Sequence, residues 1–208
     1  MHRFFDTFLR SFATGIAIAV GGMVYLSCDN KYVGAFLFGM GLFVVLTFGF
    51  FLFTGKVGYA VENKPKYLAD LAVIWLGNLC GTSVSALMIT HTRATIIKEK
   101  AAALCDVKLG DSLSSIFILA FFCGLLMFIA ADGYKCIKNP VGQMLAVFLP
   151  VMVFILSGFE HCVANMFYFT AAGAWSAKAF GYLIIMTLGN AAGGILIPMI
   201  RKGLIKAD

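Results

Sequence analysis

Charge is what this chain has least of. Asp, Glu, Lys and Arg make up 12% of its 208 residues, against 61% hydrophobic residues, and the mean hydropathy is +0.93. A soluble domain would not carry so much apolar surface. The formal net charge of +6 does not point to nucleic acid, because the basic residues sit mainly at the ends of apolar runs, where they fix topology and meet lipid headgroups. Alternation of polar and apolar residues is missing, which excludes a β-barrel. Only three histidines are present, and the six cysteines show no CxxC and no metal-ligand spacing. No metal or other cofactor is therefore expected. No polar stretch is long enough for a separate soluble domain.

What remains is long hydrophobic runs, several near or above the roughly 18–20 residues that span a bilayer. They read as an all-α polytopic membrane protein with six transmembrane helices. The spans cover about Phe8 to Cys28, a second beginning near Val33, Leu68 to Thr90, Leu113 to Ala131, Met144 to Phe169, and Phe180 to Ile200. The first continues through MVYLSC without a cleavage-like break, so it reads as an uncleaved helix rather than a signal peptide. Between the third and fourth spans lies the one long polar connection, His91 to Ser112. If the N-terminus is cytoplasmic, Arg3, Arg10, Lys64, Lys66, Lys135, Lys138, Arg201, Lys202 and Lys206 lie inside. Lys31, Arg93, Lys98, Lys100, Lys108 and Lys178 then lie outside, with Lys56 set aside as intramembrane. This bias places both termini in the cytoplasm.

Two spans are not plain helices. In the second, Thr54, Gly55, Lys56 and Gly58 interrupt FLFGMGLFVVLTFGFFLFTGKVGYAVE. The fifth carries Pro150, then Ser157-Gly158 just before Glu160 and His161. Broken helices at membrane depth are tolerated only inside protein or beside a cavity. Each break is followed by a matching motif, 76-LGNLCG-81 in the third span and 188-LGNAAG-193 in the sixth. The chain thus divides into two three-helix repeats, about 8–90 and 113–200, within one channel domain spanning 1–208. Three spans per repeat make the second repeat enter from the opposite side, an inverted three-plus-three arrangement that brings helices 2 and 5 together at their breaks.

The polar residues near those breaks are the candidate site. A lone membrane histidine is often a packing residue, but His161 follows a break and pairs in repeat space with Thr54. Its imidazole can donate to an anion or pass a proton near neutral pH. Glu160 is costly in lipid unless paired or hydrated. Its expected role is structural, accepting from backbone N–H groups that the break frees, and Asn78 and Asn190 are assigned the same duty. Lys108, before the fourth span, and Lys56, in the break itself, are candidate anion attractors. Lys108 has snorkelling as its ordinary alternative. Phe38, Leu42, Leu52, Phe53 and Phe154 flank the breaks. Core packing is the default for such residues, but an apolar pinch on either side of a polar midpoint would also stop hydrated ions.

These residues resemble a known family. LFTG at 52–55, LGN at 76–78, SGFEHCVANMF at 157–167 and LGN at 188–190 are similar to the formate/nitrite transporter family over nearly the whole chain. The resemblance implies an aquaporin-like six-helix protomer, a homopentamer in the lipid bilayer, one pore per protomer, and a bacterial cytoplasmic membrane location. Thr54 then corresponds to the family's threonine in the broken second helix, His161 to its pore-centre histidine, and Lys108 to its lysine before the fourth helix. Phe38, Leu42, Leu52, Phe53 and Phe154 take its pore-narrowing positions. Gly124 stands where formate and nitrite members carry an asparagine. The run 123-CGLLM-127 looks more like the hydrosulfide branch, with Met127 joining the constriction. Lys56 is outside the general pattern, and few residues precede the first span. The implied function is passage of small monovalent weak-acid anions, with hydrosulfide favoured and formate or nitrite as the alternative. A membrane redox subunit fits poorly, because a haem would want two facing histidines and a thiol oxidoreductase paired cysteines. A neutral-solute channel lacks the paired NPA motifs.

Overall fold

The computed structural model describes residues 2–205, with side chains from Arg3 to Gly203. Lys206, counted above for orientation, lies outside them. The described residues form helices α1 (His2–Ser27), α2 (Lys31–Thr47), α3 (Phe53–Lys56), a 3-10 turn (Val57–Glu62), α4 (Tyr67–Thr90), α5 (Thr95–Gly110), α6 (Leu113–Cys136), α7 (Pro140–Leu156), α8 (Cys162–Ala172) and α9 (Ala177–Ile205). Four of them, in α1, α4, α6 and α9, are long and apolar enough to cross a membrane. α2, α7 and α8 are shorter apolar helices. This is a multi-pass membrane protein.

Local chemistry sets several boundaries. The Asn30 carboxamide accepts from Tyr32 N and Val33 N to start α2, Ser112 Oγ accepts from Ser115 N to start α6, and Asn139 Oδ1 accepts from Gly142 N with Pro140 opening α7. The long polar connection is not the loop expected from its charges. Thr95–Gly110 is helical, and Ile97, Ala101 and Cys105 repeat every fourth residue to give it a buried face.

The second span differs from expectation in where it loses helical form. Thr54, Gly55 and Lys56 are helical, and the non-helical residues are 48–52, turned by Gly49 at φ +65°. Thr, Lys and a single Gly do not stop a helix, whereas a left-handed turn does, and it favours glycine. Gly158, at φ +69°, plays the same part 109 positions later. The hydrogen bonds recur at that spacing as well. Phe50 N donates to Val45 O at 2.8 Å and Phe159 N to Phe154 O at 2.9 Å, while Gly49 N donates to Leu46 O at 3.3 Å and Gly158 N to Ile155 O at 3.2 Å.

Close helix pairs hold these segments. α1 lies against α4 and α6 against α9 with backbones almost touching. A Cβ added to Gly15 would stand 2.5 Å from the Asn78 carbonyl oxygen, and one added to Gly124 would fall into the backbone of Asn190. Small residues allow this approach where lipid supplies no hydrophobic force between helices. α8 is enclosed by its neighbours, with Cys162 through Phe169 all buried.

Candidate functional site

The non-helical stretches leave backbone groups without helical partners, and two buried asparagines satisfy them in the same way. Asn78 Oδ1 accepts from Phe53 N at 2.9 Å, and its Nδ2 donates to Phe51 O and Ser11 O, each at 2.9 Å. Asn190 Oδ1 accepts from Cys162 N at 2.8 Å, and its Nδ2 donates to Glu160 O and Ala120 O, each at 2.7 Å. A carboxamide suits this task because it accepts and donates at once. The two sets align Phe53 with Cys162, so the repeat partner of His161 is Leu52. The expected equivalence of His161 with Thr54 is off by two positions, because Thr54 stands 24 residues before Asn78 whereas Leu52 stands 26 before it and His161 29 before Asn190.

His161 and Thr54 nevertheless meet directly. Thr54 Oγ1 lies 2.9 Å from His161 Nε2, both residues buried. His161 is also the N-cap of α8, where its Nδ1 accepts from Ala164 N at 3.1 Å. A ring nitrogen that accepts carries no proton, so in a neutral imidazole the proton sits on Nε2, which donates to Thr54 Oγ1. The Thr54 hydroxyl hydrogen stays available to a guest. The Phe154 ring stacks on the imidazole at 5.7 Å, and Phe38 meets Phe154 edge-on at 5.6 Å.

His161 lines one cavity, and a second is lined by Gly55, the residue after Thr54. A cavity of about 70 Å³ is lined by Lys108, Phe154, Gly158, His161, Asn165 and Tyr168 among others. A larger one, of about 520 Å³, is lined by Leu42, Leu52, Gly55, Lys56, Tyr59 and Lys135 among others. Thr54 lines neither cavity itself, but it precedes Gly55 of the large cavity's wall in the chain and contacts His161 of the small one's.

Glu160 does not have its expected role. Its carboxylate accepts from Lys108 Nζ at 2.6 and 2.8 Å and from Asn165 Nδ2 at 2.8 Å, and among the described residues no backbone N–H donates to it. The asparagines already serve the freed backbone, leaving the carboxylate for the cation. Lys108 is correspondingly not a free attractor. It is held at the last turn of α5, with the two side chains 13% and 4% exposed.

Gly124 is displaced from its expected place as well. It lines neither cavity and packs on Asn190, because the α6–α9 crossing takes the space a side chain would need. Met127 and Phe53 are buried but line neither cavity, while Leu42 and Leu52 line the large one and Phe154 the small one. Lys56 lines the large cavity, with its Nζ 4.9 Å from the centre of the Phe51 ring.

Asn165 was inside the quoted SGFEHCVANMF motif but had no assigned role. Its Nδ2 faces the Glu160 carboxylate and the His161 carbonyl, 3.0 Å away, which fixes the amide orientation. Its Oδ1 is buried, belongs to a residue lining the small cavity, and accepts no hydrogen bond from the described residues. The spacing from His161, four residues along a helix that starts at Cys162, was the signal that could have found it.

Comparison with known proteins follows the same outline. The family model described as Formate/nitrite transporter matches residues 1–201. The uncharacterized transporter YrhG of Bacillus subtilis (strain 168) is 31% identical over 180 residues, covering 79% of this chain and 68% of that protein. The formate channel FocB of Escherichia coli (strain K12) is 26% identical over 183 residues, covering 78% of this chain and 64% of that protein. The chain thus spans about two thirds of these relatives' own length. Among solved structures, a pentameric formate channel with formate bound matches with a TM-score of 0.83 at 23% identity, covering 100% of this chain and 99% of the other, a likeness of fold.

Proposed function

The chain belongs to the formate/nitrite transporter family, and on that premise we propose that it passes small monovalent anions of weak acids, with hydrosulfide favoured and formate or nitrite as the alternative. The family is one of channels and transporters, not enzymes. The observation that carries the proposal is the buried Thr54–His161 contact, with His161 on the wall of the small cavity and Thr54 next in the chain to Gly55 on the wall of the large one. A bare anion is costly in such a passage. A guest that meets the Thr54 hydroxyl and carries a proton onward crosses more cheaply.

Asn165 supports a guest that carries hydrogen. A buried acceptor without a donor costs roughly 1–3 kcal/mol, and hydrosulfide can offer its S–H while still an anion, whereas formate and nitrite offer an O–H only once protonated. The expectation that Gly124 sets the preference for hydrosulfide is given up, since that position faces α9. The Lys108–Glu160 pair leaves the small cavity close to neutral, so Lys108 contributes ammonium N–H groups at the entrance rather than net charge.

The architecture proposed around this path is a single channel domain, 1–208. It comprises six spans in an inverted three-plus-three repeat, with α2/α3 and α7/α8 as the two broken spans. The recurrence of turns and hydrogen bonds 109 positions apart supports it. Five copies would assemble in the cytoplasmic membrane of a bacterium, with both termini inside. A flux panel in proteoliposomes tests the function, using hydrosulfide, formate, nitrite, lactate and chloride. Hydrosulfide and formate should pass and chloride, the anion of a strong acid, should not. Chloride passing as fast as formate, or no flux of any weak-acid anion, would overturn the proposal.

A further inference from the structure

The two cavities differ in more than size. In the small one the cation is cancelled, because Lys108 Nζ sits 2.6 Å from a Glu160 carboxylate oxygen. In the large one two cations are held in place but not cancelled. Lys56 Nζ lies over the Phe51 ring at 4.9 Å and Lys135 Nζ over the Tyr59 ring at 5.1 Å. An aromatic face attracts an ammonium group and locates it, but supplies no counter-charge and leaves its N–H donors open. Among the described residues neither Nζ forms an ion pair, and neither donates a hydrogen bond to a protein acceptor. Asp132, three positions before Lys135, is occupied by Tyr59 Oη at 3.1 Å and Arg201 Nη1 at 2.6 Å. Glu62 is the carboxylate on the cavity lining, exposed and paired with neither lysine. Two lysines against one glutamate leave this cavity positive.

We propose that the cavity of about 520 Å³ is a second anion-binding station, in which Lys56 and Lys135 hold one small monovalent anion before or after its passage through the Thr54–His161 contact. This rests on the reading of the chain as an anion channel and adds to it the side on which the anion accumulates. The ammonium N–H donors not turned to the rings have beside them a space far larger than a formate or hydrosulfide ion, so the site takes small carboxylates and sulfonates without size selection. The apolar lining by Leu42 and Leu52 at its inner end does the excluding. Local concentration by this field raises the rate of entry from the Lys56 side and makes flux asymmetric at low anion concentration and low salt.

Benzenesulfonate is the probe, because it keeps its charge at all working pH values and is too large for the pinch. Calorimetric titration of the purified full chain in detergent should show saturable binding, displaced competitively by formate. Lys56→Gln and Lys135→Gln should each weaken it by about tenfold or more, as expected for losing a charged hydrogen-bond donor. Lys56→Arg, which keeps the charge, and Lys98→Gln, on the exposed face of α5, should bind within about threefold of the parent. No saturable binding to the parent overturns the station, as does unchanged binding in both glutamine variants. Binding that formate cannot displace overturns it as well. The flux panel separates this from the function itself. If the parent binds benzenesulfonate at Lys56 and passes no weak-acid anion, the channel reading falls. If it passes them and Lys56→Gln neither loses probe binding nor alters flux from either side, only the station falls.

Discussion

His161 uses its two nitrogens for two tasks, and a substitution can separate them. Nδ1 caps α8, and Nε2 meets Thr54. His161→Phe removes both and loses about 0.5–2 kcal/mol of capping, so its thermal midpoint should fall together with its flux. Asn is a favoured cap and carries no imidazole. His161→Asn should therefore give folded protein near the parental yield while anion flux drops at least about tenfold. Parental flux in that variant would remove the imidazole from the path. A second residue-scale test concerns Lys108 and Glu160, both nearly enclosed. Lys108→Gln or Glu160→Gln alone strands a buried charge, at a cost of about 3–5 kcal/mol, whereas neutralising both is far milder. Thermal midpoints in one detergent should show the double variant above either single. A double variant no better than the worse single would mean that the ion pair is not what supports this corner.

At the scale of elements, the sequence was clearest where a motif repeats and poorest where only orientation matters. The two LGN motifs and the FEH segment were legible because the buried Asn78 and Asn190 each make three hydrogen bonds, accepting one and donating two, which few other residue types supply in that space. The position of the first non-helical stretch was misread at Thr54, Gly55, Lys56 and Gly58, since only the left-handed φ marks Gly49 as the turn. α5 was hidden by its charges, although Ile97, Ala101 and Cys105 already carried the helical period. Gly124 shows the harder limit, because no pattern along one strand of sequence says which neighbour a glycine faces. It faces α9, so Gly124→Asn should fail to give folded protein rather than move selectivity toward formate. Gly124→Ala should already lower the thermal midpoint, as a Cβ there falls into the Asn190 backbone. Parental yield of Gly124→Asn with faster formate flux would restore the selectivity role.

For the whole molecule the question is how copies meet. The run 34-GAFLFGMG-41 invites the idea that its glycines form the contact between subunits. The structure uses them inside one subunit. A Cβ on Gly41 would stand 2.7 Å from the Ala17 carbonyl oxygen of α1, and one on Gly39 would meet the Phe148 ring. The same helix turns Phe36, Leu37 and Met40 outward, each exposed in the single chain. Lipid or another copy must cover these larger side chains, and a five-fold assembly of the proposed kind would join through them. The two arrangements predict opposite results for one variant. If the glycines were at the subunit contact, Gly41→Leu would release folded monomers, because the subunit itself would be untouched. With Gly41 against α1, the leucine instead forces α1 and α2 apart, at about 1–3 kcal/mol or more for overpacking. Native mass spectrometry should then find a lower yield of folded protein, with whatever folds still pentameric. A well-folded monomer as the main species would place the glycines between subunits and move the packing of α2 outward.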